Sequence, residues 1–445
     1  LRQEDPHTFV ITAGDNAEQI AFACRFTSED LSFAPPDHGA IKKRAAEYWE
    51  RFWSDGGAIE LANSRDPRAI ELERRIVLSQ YLTAIQCSGS TPPAETGLTF
   101  NSWYGKFHLE MHFWHAAHFP VWGRRQMLEK SLEWYHEILP VARRKAESQG
   151  YSGVRWPKMC DSSGRDSPSP IGVLLVWQQP HPIMLAELCY RACPSGATLM
   201  KYRDLVVESA LFMADFAHYD SKKGRYVLGP PLIPVQETHD PTGTLNPAFE
   251  LEYFRWGLKT ASQWLKRLGE QPVELFDQVA ENLSRLPVGG DVYLAHENCP
   301  DTFRKAPFNQ DHPSMVGALG VLPGEGVDPL VMKRTVERVL ECWDMDSMWG
   351  WDFPMMAMCC ARLGMTSKAI DILMMDAGKN TYLPNGHNAQ AGREDLPIYL
   401  PGNGALLLAT GMMAAGWDGG QGTRAPGFPA DGSWNVEYEG ILPYI

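Results

Sequence analysis

The chain contains no apolar run approaching the ~20 residues a membrane-spanning helix requires. It has no block of Lys and Arg of the kind that binds phosphate backbones, and its formal net charge is −13. Nucleic-acid and membrane partners are therefore not expected, and an uncharged or weakly charged ligand fits better. No Cys-x-x-Cys pair occurs among nine cysteines, so neither a disulfide framework nor a zinc ribbon follows, and the odd count leaves at least one thiol unpaired. No repeat of 20 to 50 residues is present, which argues against a solenoid. There is also no initiating Met and no signal segment at Leu1. The expectation is a trimmed chain, secreted or periplasmic, whose targeting segment lies outside this sequence.

What is present is ordinary for a folded protein: 445 residues, 44% hydrophobic and 21% charged, with fifteen Trp, fifteen Tyr and eighteen Phe. Thr8–Thr12 and Gln19–Phe26 are β-prone and flank Gly14-Asp15-Asn16, which reads as a hairpin. From Asp37 onward apolar residues recur at three- and four-residue spacing. The helices expected are 41–52, 69–86, 108–122, 126–146, 182–192, 197–217, 247–268, 273–286, 328–343, 353–363, 367–375 and 405–415. Twelve helices taken as six hairpins close an α/α toroid, whose loops at one end can surround a pocket. The segment Trp434–Glu439 alternates and reads as a returning strand. The expected organisation is a hairpin over 1–36, a linker helix over 37–65, a helical barrel over 66–418 and a β-like tail over 419–445. The fold class is thus all-α dominated, an (α/α)6 toroid with short β segments at both ends.

The stretch Gly229–Glu250 stands out chemically. Pro230, Pro231 and Pro234 cannot continue a helix, and Gly243 interrupts again, so Gln236–Asp240 should be held on a rigid loop with Glu237 at its centre. Leu245 or Asn246 would cap the helix that follows, with Pro247 in its first turn. A solvated loop carboxylate is the plainer use of Glu237.

Gly229-Pro230, Glu237-Thr-His239 and Asn246-Pro-Ala-Phe249 resemble the acid-bearing segment of glycoside hydrolase family 65. Phe107-His-Leu-Glu-Met-His-Phe-Trp114 resembles that family's Phe-Trp-Asp-Thr-Glu segment, and Asn309-Gln-Asp-His312 its Lys-Gln-Ala-Asp. The three segments occur in the family's order. The resemblance implies a six-hairpin barrel, with the N-terminal hairpin as the last strands of a β-sandwich. It also implies an inverting, exo-acting α-glycosidase or a sugar phosphorylase with no cofactor, acting on an oligosaccharide or glycoside. Where family members carry Trp-Asp this chain has Phe107-His108, so glucose specificity does not transfer.

Inversion requires a protonated carboxyl near the leaving oxygen and an ionised one across the ring. Glu237 is the candidate acid. For the base, the polar loop Asn385–Asp395 offers Glu394, preferred over Asp395, with Arg393 alongside to keep it charged. The competing reading of Glu394 and Asp395 is a surface acidic pair neutralised by Arg393. Substrate contacts are expected from Trp103 and Lys106 at the rim, and from His108, Glu110, Trp114, Trp156, His239, Asn246, Gln310, Asp311, His387 and Asn403. Further polar or aromatic loops, Arg155–Lys158, Gln178–His181 and Trp349–Asp352, are placed to line the same pocket. His108, His112 and His115 share one helix face, a spacing that can bind zinc, yet Glu110 is rotated away and Trp114 and Trp122 interleave. Sugar-hydroxyl contacts and core packing are the preferred use of these side chains, and no metal is expected. A non-catalytic carbohydrate-binding barrel is the alternative from another functional class.

Overall fold

The computed structural model describes residues 1–27, 34–420 and 422–445, so 28–33 of the expected N-terminal segment and 421 of the expected tail lie outside it. The chain divides into Leu1–Gly56 and Gly57–Ile445. In the first unit, strands Arg2–Asp5 and Thr8–Val10 pair antiparallel, with Arg2 opposite Val10. The Asp5 carboxylate accepts the His7 N–H at 2.8 Å, which sets the turn at 6–7 instead of at Gly14. The expected partner, 19–26, consequently has no ladder and stays irregular. Helix α1, His38–Asp55, opens on Asp37, whose side chain accepts the Ala40 N–H.

The second unit carries α2 (Ala69–Gln86), α3 (Leu109–Ala116), α4 (His118–Val121), α5 (Arg125–Ser148), α6 (His181–Ala192) and α7 (Gly196–Phe216). It continues with α8 (Ala248–Leu268), α9 (Glu274–Asn282), α10 (Pro329–Cys342), α11 (Asp352–Arg362), α12 (Thr366–Leu373) and α13 (Leu400–Ala415). Six elements form an inner ring in which each touches the next: α3, α6, α8, a 3₁₀ turn at Ser314–Ala318, α11 and α13, which closes on α3. Helices α2, α5, α7, α9, α10 and α12 lie outside, so the fold is an (α/α)6 barrel dominated by helix.

Side-chain chemistry sorts the two rings. Leu400–Ala414 of α13 is buried on every side, as an inner helix must be. In α10 only Met332, Thr335, Val336 and Val339 are buried, the stripe of a half-solvated helix. The helix expected over 108–122 is broken at Ala117, because Pro120 has no N–H and its ring clashes with the carbonyl four residues back. Helix α13 starts at Leu400, ahead of the expected Ala405, and packs so closely on α3 that a Cβ on Gly404 would lie 1.9 Å from the Trp114 carbonyl oxygen.

At the ends of the barrel, Glu437–Glu439 pairs antiparallel with Ala58–Glu60. All nine cysteines are free thiols. Among the described residues no helix is long and apolar enough to cross a membrane.

Candidate active site

The loop that carries Glu237 is held from three sides. The Leu232 N–H donates to the Pro241 carbonyl and the Ile233 N–H to that of Leu174. The Val235 N–H donates at 2.8 Å to Glu250, a fully buried carboxyl in the first turn of α8 that burial pushes up to about 7. The buried Gln236 amide then donates to the carbonyls of Phe308 (2.8 Å) and Gln310 (2.7 Å). Those bonds bring the loop of Glu237 against the loop of Asp311. Between them lies a cavity of about 230 Å³ whose walls include Glu95, Trp103, His108, Glu110, Lys158, Glu237, Asp311, His312, Trp349, Arg393 and Tyr399.

On one wall a two-residue ladder pairs Phe107 with Cys160 and His108 with Met159, which sets Lys158 beside Glu110. Lys158 bonds Glu237 directly and lies 3.3 Å from Glu110, and His108 Nε2 is also 3.3 Å from Glu110. The two carboxyls respond in opposite directions. Burial would raise Glu110, but Lys158 and then His108 outweigh it and bring the group down to about 2. Glu237 is raised, first by burial and then by the Glu110 charge, with Lys158 opposing and Asp311 adding to the rise. Glu110 takes up the charge of Lys158, leaving Glu237 as the carboxyl able to hold a proton, which is the division of labour that acid catalysis needs.

Another part of the wall is built on Asp311. Its backbone sits in the left-handed region (φ 64°), which Asp adopts more readily than most residues. The position is fixed by Ser347 Oγ accepting its N–H at 2.8 Å and by Trp343 Nε1–H donating to its carbonyl. The carboxylate accepts the Trp349 Nε1–H at 2.8 Å and faces His312 Nε2 at 3.4 Å. Two cations stand over the Trp349 ring, Lys379 Nζ at 4.5 Å and Arg393 Cζ at 5.1 Å from its centroid.

Not every expected contact reaches this cavity. Glu394 and Asp395 are exposed and outside its walls; Asp395 accepts both hydrogen bonds of the Arg393 fork (2.8 and 2.7 Å), and Arg393 itself turns inward. Trp114 and Trp156 are fully buried in the core, Trp114 stacked on Trp351 and Trp156 donating to Ser209. Asn246 does not cap α8. It adopts φ 55°, accepts the Leu228 N–H and donates to Glu297, and Pro247 takes the cap position. Asn403 bonds Ser79, the Gly386 carbonyl and the Asn388 N–H. His387 pairs with Gln86, Gln310 with Asp344, and Lys106 is half-buried off the cavity wall.

The histidine stripe splits among separate partners: His112 meets Tyr135 and Ser131, His115 the Glu95 carbonyl, and His118 Thr83. Burial pushes His115 and His118 down to about 3 and His112 well below its ordinary value, so these rings are neutral core donors.

His239, His296 and Cys299 bring their ligand-type atoms within 4.8 Å of one another. The two rings are already hydrogen-bonded. The Asn298 N–H donates to His296 Nδ1, so the ring proton lies on Nε2 and donates to His239 Nδ1 at 3.2 Å. That tautomer turns a proton, not a lone pair, from His296 toward the cluster.

Four wall residues were weakly marked or unmarked in the sequence, Tyr399 among them. Lys158 and Trp349 lay in loops already noted, while Glu95 had no such signal beyond Pro92-Pro93, rigid residues like those before Glu237. Trp103 Nε1–H donates to Glu95, which is buried and makes no ion pair among the described residues.

No family model and no curated protein matches the chain in sequence. Solved structures do share its fold. One is a human-microbiome protein provisionally named a kojibiose phosphorylase (TM-score 0.66, 8% identity), with 85% of this chain aligned. The chain spans only 59% of that protein's length. A wild-type glycosidase aligns with TM-score 0.58 at 15% identity over 77% of this chain and 97% of its own. A GH78 family rhamnosidase from Bacillus sp. GL1 aligns with TM-score 0.51 at 9% identity over 81% and 36%. At such identities the likeness establishes the architecture, and the architecture is the helical barrel of these glycoside-active proteins.

Proposed function

We propose that the chain is an inverting, exo-acting α-glycoside hydrolase in which Glu237 is the general acid and Asp311 the general base. The observation that carries this is the opposed environment of two carboxyls in one cavity. Glu237 is driven toward its protonated form by burial and by Glu110, whereas Asp311 receives an indole N–H and faces the His312 Nε2 at 3.4 Å. Glu237 gives its proton to the glycosidic oxygen as the C1–O bond breaks. A water oxygen attacks C1 from the opposite face and its proton passes to Asp311. The base is placed here and not at Glu394 or Asp395 because those two stand in solvent, with Asp395 engaged by Arg393. A cavity of about 230 Å³, below the ~300–1,000 Å³ of drug-sized ligand sites, suits a terminal sugar and hence exo action.

Phosphorolysis is the second reading, favoured by the cations Arg393 and Lys379 flanking Trp349 next to Asp311. The experiment is a panel of α-linked disaccharides and aryl glycosides, with and without phosphate, with product anomers followed by NMR. Release of the β-anomer of the free sugar without phosphate, lost in Asp311→Asn, is the expected result. Phosphate-dependent release of a sugar 1-phosphate would replace hydrolysis by phosphorolysis, and full activity of Asp311→Asn would remove the base assignment.

A further inference from the structure

Behind Asp311 lies a second buried carboxylate, Asp352, at the first residue of α11 and with no solvent exposure. His312 stands between the two. Its Nδ1 is 3.0 Å from each Asp352 oxygen, and its Nε2 is 3.4 Å from Asp311 Oδ1. The ring is locked by stacking on Trp351, with centroids 4.2 Å apart and planes inclined by 26°. Trp349 bridges the same two carboxylates, giving its backbone N–H to Asp352 at 2.7 Å and its indole N–H to Asp311 at 2.8 Å.

A neutral imidazole has one N–H and one lone pair, so it would have to aim a lone pair at a carboxylate on one side or the other. Only the doubly protonated ring presents an N–H to both, as a hydrogen bond to Asp352 and an ion-pair contact to Asp311. We infer that His312 is an imidazolium at neutral pH, held by Asp352, and that this pair positions and electrostatically supports Asp311 for its task without itself relaying a proton. This rests on Asp311 being the base.

Burial disfavours charge on His312, but Asp311 and then Asp352 outweigh it, with Glu237 adding from across the cavity, and the ring is pushed up to about 9. Asp352 itself is raised by burial, with His312 opposing, and Lys379, half-buried against Trp349, is lowered by burial, with Asp311 and Asp352 opposing. Since His312 already carries both protons, it cannot accept the one taken from water. That proton stays on Asp311 until exchange with solvent.

Two readouts test this. The first is the imidazole ¹⁵N signal of His312 in the otherwise unaltered protein, followed from pH 6 to 10. An imidazolium signature persisting past pH 8 is expected, and titration at or below the ordinary ~6.5 would overturn the inference whether or not any variant folds. The second is the pH profile of kcat/KM for His312→Gln and Asp352→Asn. Loss of the positive ring removes an opposite charge from the site of the base, so the acid limb in His312→Gln should move to higher pH. Asp352→Asn, in which Asp311 still faces the ring, should bring the ¹⁵N titration of His312 below that of the unaltered protein. The double variant should be no worse than His312→Gln, since Asp352 acts through the ring. A uniform loss of rate with the limb unmoved would reduce both residues to packing. Inactivity of Asp311→Asn with an unshifted limb in His312→Gln defeats this inference alone, whereas an active Asp311→Asn defeats the base assignment.

Discussion

Replacing Lys158 by Met removes the cation that Glu110 and Glu237 share while keeping most of its buried volume. The perturbation is read most directly through Glu110, which is 4% exposed and held at about 2 against an ordinary 4.5. At about 1.4 kcal/mol per pKa unit, that depression amounts to about 3 kcal/mol of stability at neutral pH. Breaking a buried pair by removing one partner costs ~3–5 kcal/mol, in agreement. With an unfolding entropy of ~2.1 cal/mol/K per residue, the roughly 390 residues of the barrel unit give about 0.8 kcal/mol/K, so Tm should fall by about 4–6 °C at pH 7. Because the folded value lies below the unfolded one, this contribution is complete above pH 4.5 and drains away between 4.5 and about 2. At pH 3 less than half of it remains, and the variant's deficit should shrink in proportion. Calorimetry of both proteins at the two pH values decides the matter. An equal deficit at pH 7 and pH 3, or no deficit at pH 7, refutes the shared-charge account of Glu110 and Lys158.

Glu237→Gln keeps the shape of the acid and removes its proton; hydrolysis of glycosides with poor leaving groups should fall ~10²-fold or more and that of activated aryl glycosides less, and an unchanged rate on a poor leaving group would strip Glu237 of the role. Since Glu237 is raised above its ordinary value, the alkaline limb of kcat/KM should lie above pH 4.5 and move further up in Lys158→Met, where the opposing cation is gone. Glu394→Gln and Asp395→Asn should each change kcat/KM by less than about threefold, as expected for solvated carboxylates; a hundredfold loss in either would return the base to that loop. Gly404→Ala places a methyl carbon 1.9 Å from the Trp114 carbonyl oxygen, an overpacking at or beyond the ~1–3 kcal/mol such changes usually cost, so soluble yield or Tm should drop sharply, and a wild-type Tm would contradict the close approach of α13 to α3.

Periodicity placed most of the barrel in advance. Ala69–Gln86 runs as the apolar spacing indicated, and α6, α7, α8 and α11 begin or end within a residue or two of their expected limits. Local steric rules explain the departures: Pro120 splits one expected helix, and the Asp5 turn captures the strand that Gly14 was expected to turn. The fourth inner element, Ser314–Ala318, is too short to leave a periodic signature and was invisible as a helix.

The sequence by itself determined the helical period and the Pro-rich rigidity around Glu237, because these depend on residues within a few positions of each other. It did not determine partners. That Lys158 lies between Glu110 and Glu237, that Gln236 ties the acid loop to 308–310, and that Asp311 faces His312, Trp349 and, behind them, Asp352 are contacts across up to about eighty residues of chain or between separate hairpins. Likewise, Arg393 beside Glu394 and Asp395 reads in one dimension as a cation supporting a base, whereas closure of the ring turns the guanidinium inward and leaves both carboxylates in water. A carboxyl's chemistry is set by burial and by the charges within a few ångströms, and both are fixed only when the six hairpins close.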